Sequence, residues 1–218
     1  MIEFKSMIQS KIQQCRSLLY SSLEIRNGDD PGTKLPLIIW NDIRDSCNNQ
    51  MSGYSFLSDQ RNKFLIGNKD FLSNKMKESS ELFNEWYNAS DSTFHDNAIV
   101  MYEDTLNKFR ELLLGLIHLT GGQPGRGTEV TNIKYCNTQQ SVRNVYIRNG
   151  LVYIMPAYHK GMIQTNQEKT ICRYLPVPVG ESLVYYIWLV LPFWQRVVGH
   201  HRNCSEYSPF LFANEMVY

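Results

Sequence analysis

Gly121-Gly122-Gln123-Pro124-Gly125-Arg126-Gly127-Thr128-Glu129 sets one arginine inside a glycine-rich turn, with an acidic side chain three residues on. Glycines let a backbone approach a ligand closely, and a helix that restarts after such a turn offers unpaired N–H groups to an anion. The Arg126 guanidinium and those N–H groups could clamp one phosphate together. Glu129 would lie beside Arg126 on one helical face, where the plain structural alternative is an ion pair between the two. Further along, Lys160 stands in Tyr158-His159-Lys160-Gly161, in the turn after a strand and at the entrance to a loop. A lysine so placed is either a solvated loop residue or a mobile general acid. The chemistry that uses both groups is metal-free cleavage and rejoining of a phosphodiester, which needs cations around the phosphate and a proton donor for the leaving oxygen.

Those residues must be held by ordered elements. Tyr102, Leu106, Phe109, Leu113, Leu116 and Ile117 recur at three and four, which predicts a helix over 98–119 with Asp96 as its cap. The glycine turn ends it, and 128–133 restarts as a short helix. Two apolar runs at 145–147 and 151–155 flank Asn149-Gly150, a strong hairpin signal. A third strand is expected at 170–175, after the loop at 160–169, and then a buried helix at 180–198. Upstream, Phe4, Met7, Ile8, Ile12, Leu18 and Leu19 mark one amphipathic helix over the first thirty residues. The Asn-Gly-Asp-Asp-Pro-Gly cluster at 27–32 reads as a linker or turn, giving a linker near 27–34, and 35–97 as short helices with loops. The polar stretch at 88–97 divides the chain into an N-terminal helical region, 1–97, and a second domain, 98–218. The expected class is α+β, mainly helical, with a small three-stranded antiparallel sheet.

Composition narrows the function little. The 218 residues carry a formal charge of +1, so any DNA-binding face must come from local clustering of basic residues. Five scattered cysteines without a Cys-x-x-Cys pair fit free thiols in a reducing compartment, and no secretory signal is visible at the N-terminus. The apolar run 183–194 falls short of the roughly twenty residues a bilayer needs and contains Pro192, so a buried helix is expected and no membrane partner. His201 and Cys204 have metal-like spacing but lack a second pair; neither metal nor cofactor is expected. Lys134, Arg143, Arg148, His159 and Arg173 surround the predicted sheet as candidate contacts to a DNA backbone, although basic residues on strands also serve as plain solvated charges and His159 as a plain loop histidine.

The order of a helix, Thr-Gly followed by Arg-x-x-Glu, a small sheet with a lysine between its second and third strands, and a helix resembles the tyrosine recombinase family. A closer likeness is to the recombinase-like region of fungal mobile-element and telomere-linked helicase proteins, through GGQPGRGTEV, RNVYIRNGLVYIMPAYHKG, RYLPVPVGESLVYYIWLVLPF and SPFLF, and more loosely upstream from about residue 35. That resemblance implies a catalytic fold of the recombinase type after residue 98. It implies that Arg126 binds the scissile phosphate, that Glu129 supports the site and that Lys160 protonates the leaving oxygen. The implied partner is duplex DNA, with self-association on it, in the nucleus. The family also uses a His-x-x-Arg motif, a later His or Trp and a tyrosine nucleophile. His200-His201-Arg202 has the wrong spacing and Tyr218 no nucleophile-like context, so a C-terminally truncated, catalytically incomplete domain is expected. The alternative is a non-catalytic DNA-binding or assembly module of a larger helicase-like polypeptide.

Overall fold

The computed structural model describes residues 2–26, 28–122, 127, 131–155, 171–202 and 207–212. Helix α1, Ile2–Ser22, is the expected N-terminal helix, but its buried stripe sits toward the C-terminal end. Cys15, Leu19 and Leu23, at spacings of four, are buried, whereas Phe4 and Met7 stay exposed. Lys75 ties down the end of α1 from another element, donating from Nζ to the carbonyls of Leu23 (3.1 Å) and Glu24 (2.7 Å), the two residues that follow the helix.

The described part of the linker or turn near 27–34 is a turn followed by a short helix. Asp30 accepts from the Gly32 N–H at 3.0 Å and caps a short helix α2, Pro31–Lys34, whose proline occupies a first-turn position. A 3₁₀ turn, Trp40–Asp42, and helices α3, Lys63–Gly67, α4, Phe71–Glu78, and α5, Ser80–Trp86, then follow. The polar stretch at 88–97 holds a two-residue hairpin, β1, Tyr87–Asn88, against β2, Thr93–Phe94. Asn88 accepts from the Ser90 N–H at 3.0 Å, and Ser92 takes φ +55°, so the polar residues build the turn.

Helix α6, Asp96–Thr120, matches the spacing argument, with Leu106, Phe109 and Leu113 fully buried. Its cap differs from expectation: His95 is the N-cap, with no side-chain bond, and Asp96 is the first helical residue. A carboxylate there still favours the positive helix end.

The sheet is three-stranded and antiparallel, in the order β3, Val145–Arg148, β4, Leu151–Ile154, and β5, Arg173–Tyr174. Asn149 (φ +52°) and Gly150 (φ +73°) both adopt left-handed backbone, as the type I′ hairpin turn requires. β5 is shorter than the predicted strand; Thr170 lies outside the described residues. Alternation sends Val145, Ile147, Val152 and Ile154 to one face and Tyr146, Tyr153 and Tyr174 to the other. The first face packs on helix α7, Val177–Tyr185, so closely that a Cβ on Gly180 would lie 3.0 Å from Val152 Cγ2.

α7 continues through a π-helical turn, Tyr186–Val190, into α8, Leu191–Arg202, longer than the predicted 180–198. This run is long and apolar enough to cross a membrane, yet 78% of its most apolar window is buried inside the fold. It is the central core helix, surrounded by α1, α6 and the sheet. Trp188 donates from Nε1 to the Leu65 carbonyl at 2.7 Å, and Tyr186 Oη to Leu211 at 3.0 Å. One hydrophobic core extends from Cys15 to Leu211 and includes residues on both sides of position 97.

A buried ion pair joins the two sides of that position. Arg143 and Asp45 have fully buried side chains; the Arg143 guanidinium donates to Asp45, and the other Asp45 oxygen accepts from the Ile147 N–H at 3.0 Å. The same guanidinium lies over the rings of Tyr146 (4.4 Å) and Tyr54 (4.8 Å) and donates to Asn137 Oδ1 at 3.3 Å. Removing one partner leaves an uncompensated buried charge, so Asp45→Ala should lower stability by about 3–5 kcal/mol, measured by urea unfolding.

Candidate nucleic-acid interface

The strand register defines one end of the sheet. Val145 pairs with Ile154, and Ile154 with Arg173, so these three residues form a row. Lys134 joins the same end: its carbonyl accepts from the N–H of Asn144 at 2.8 Å and of Val145 at 3.3 Å, and its N–H donates to Asn144 Oδ1 at 2.8 Å. Asn144 also holds Met155, accepting from its N–H at 2.8 Å and donating to its carbonyl at 2.9 Å. Gly121, the residue that ends α6, abuts this row as well, because a Cβ placed on it would lie 3.7 Å from Arg173 Cβ. The C-terminus of α6, Lys134, Met155 and Arg173 therefore meet.

Arg126, Glu129, His159 and Lys160 lie outside the described residues, as does the first half of the helix predicted at 128–133. Their attachment points do not. Gly122 precedes the 123–130 stretch and Thr131 follows it, while Met155 and Ile171 flank 156–170. Met155 and Ile171 lie within two residues of the row itself, and Gly122 and Thr131 within three residues of Gly121 and Lys134, which border it.

The other candidate cations divide three ways. Arg173 is half-buried in the row itself, and Lys134 is half-buried beside it, with Nζ bonded to Ser141 Oγ and 5.8 Å from the Phe210 ring centroid. Arg148 is exposed at the opposite end of the hairpin, three residues or roughly 10 Å away along the strand. Arg143 corrects the expectation: it is fully buried, holds Asp45 and cannot reach a phosphate.

Two features were missed in the sequence. One is a ladder of rings across the outer sheet face, Tyr146 to Tyr153 at 5.4 Å and Tyr153 to Tyr174 at 5.2 Å between centroids. A tyrosine in each of three predicted strands was a readable signal for it. The other is a polar brace below the ladder: Tyr54 Oη donates to Asp59 at 2.7 Å, and Arg61 donates to both Asp59 oxygens, at 2.9 Å from Nε and 2.6 Å from a terminal nitrogen. The Arg61 bonds, with those from Tyr54, hold the Asp59 carboxyl well below the usual carboxylate range. Burial pushes the Asp45 carboxyl up instead, only partly offset by Arg143.

His200 packs edge-on to Phe94, at 5.4 Å between centroids, and His201 Nδ1 lies 3.9 Å from Asp96. Cys204 lies outside the described residues. Among the described residues no group of three His, Cys, Asp or Glu side chains is arranged to hold a metal. No family model matches the chain, and no solved structure matches it at a significant level.

The brace carries a pH signature. A carboxyl whose folded pKa is depressed contributes stability that is present above its unfolded pKa, about 3.9, and lost as pH falls through the folded value. The stability difference between the wild type and Asp59→Asn should hence be constant near neutrality and narrow below about pH 4 in acid-unfolding curves.

Proposed function

We propose that this chain binds duplex DNA through the end of the sheet where Lys134, Met155, Arg173 and the C-terminus of α6 meet, as a tyrosine-recombinase-like protein of a eukaryotic mobile element. The observation that carries the reading is the meeting of four flanks. The glycine turn with Arg126 and the loop with Lys160 attach to neighbouring points of one sheet end, as two segments sharing a phosphate would require. Arg126 and Lys160 are the proposed phosphate ligands, with Glu129 supporting Arg126. Arg173 and Lys134 supply further positive charge at the row, and backbone charge neutralisation provides most of the affinity in such complexes.

The family's His-x-x-Arg pair and tyrosine nucleophile are not found in these 218 residues, so strand exchange by them alone is not proposed. A chromosomal substrate implies action in the nucleus, and self-association on DNA goes with the recombinase-like reading.

A salt titration on duplex DNA tests the proposal. The logarithm of affinity should fall linearly with the logarithm of salt concentration, and Arg126→Ala, Lys160→Ala and Arg173→Ala should each weaken binding and reduce the slope by about 1. Equal affinities with no salt dependence in all four proteins would sink the nucleic-acid reading.

A further inference from the structure

The tyrosine ladder ends in the open. Tyr146 is 1% exposed, Tyr153 5% and Tyr174 46%. Its inner end is fixed: Tyr146 donates its hydroxyl to the Arg143 carbonyl at 2.9 Å, and the Arg143 guanidinium covers its ring. The middle ring is held by Cys47, whose Sγ lies 3.3 Å from Tyr153 Oη. Tyr146 and Tyr153 are nearly parallel, at 17°, and Tyr174 leans on Tyr153 at 35°. Tyr174 thus has one ring face against the ladder and the other side toward solvent. It stands on β5, which among the described strands has no neighbour on its outer side.

A ring presented in this way, backed by two ordered rings, loses little entropy when a flat partner stacks on it. Paired bases in a duplex already stack on each other, whereas an unpaired base has a free face and gains from an aromatic platform. The charge nearby suits the phosphate that such a base carries with it. Arg148 is exposed and, two residues beyond Tyr146, projects from the same sheet face; two strand spacings and two residues of rise put it about 12 Å from Tyr174. That distance is within reach of a neighbouring nucleotide's backbone.

We propose that Tyr174 is the stacking site for one unpaired nucleobase of a bound DNA strand, with Arg148 meeting the backbone on the same face. The proposal rests on the reading that this chain binds DNA and adds what it discriminates: a strand with a base out of the helix over a fully paired one.

The test uses the 218-residue chain and two duplexes of equal length and sequence, one fully paired and one carrying a single bulged 2-aminopurine. The wild type should bind the bulged duplex roughly 5- to 150-fold more tightly and quench the 2-aminopurine fluorescence. Tyr174→Ala should abolish the preference and the quench, and Tyr174→Phe, which keeps the ring, should retain both. Melting curves by circular dichroism establish that the variants are folded. Equal binding of the two duplexes by the wild type, or a preference that survives in Tyr174→Ala, overturns the stacking site while leaving duplex binding in place. Binding to neither duplex overturns both readings.

Discussion

A charged pair with no access to water holds this fold to a single arrangement. Burying Arg143 and Asp45 costs each of them its hydration, and attraction between them offsets that cost only when the surrounding donors and acceptors are all in position. The site comes close to that condition, with groups drawn from distant parts of the chain and only the Arg143 Nε of the guanidinium left without a hydrogen-bond partner. Asn137 accepts from Arg143, the Ile147 N–H serves the second Asp45 oxygen, and two tyrosine rings cover the guanidinium. A displaced loop around residue 45 or a slipped β3 would leave the same charges buried and unmatched. The pair therefore selects one docking of the N-terminal region on the sheet, whatever its net contribution to stability.

The core helix obeys a related logic in apolar terms. From Ser182 to Gln195 every residue but Pro192 is buried, and most polar groups on that run find partners inside the protein. The π-helical turn falls where they do. Within it, Tyr186 accepts from Arg110 Nε at 2.8 Å and donates to Leu211, while Trp188 reaches the Leu65 carbonyl. A wider turn rotates the following residues relative to a regular helix. Here it lets one helix serve α6, α3 and the 207–212 segment together.

Much of this was legible because it is local. The Asn149-Gly150 turn permits few alternatives, and α6 repeats its apolar residues from Ile99 to Ile117, over about five turns. Asp30-Pro31 was read as a break when the same residues are also a helix start, and two-residue strands such as β1 and β2 are too short for alternation to show. Arg143 was misread for another reason. Its partner Asp45 is 98 residues away, and a buried arginine looks the same in a sequence as a solvated one. Of the candidate site, the motif order was visible, but the meeting of its flanks depends on strand register and on how α6 ends against β5. The tyrosine ladder depends on register in the same way.

The contact between Gly180 and Val152 has a mechanical consequence. With no side chain on Gly180, the helix backbone sits closely on Val152, which leaves little slack for sliding or tilting at that point. α7 and the β3–β4 hairpin must then move as one body. A load applied at the row of Val145, Ile154 and Arg173 would pass straight into the core helix instead of being absorbed by bending of the sheet, so the sheet behaves as a rigid lever whose fulcrum is the protein's own core.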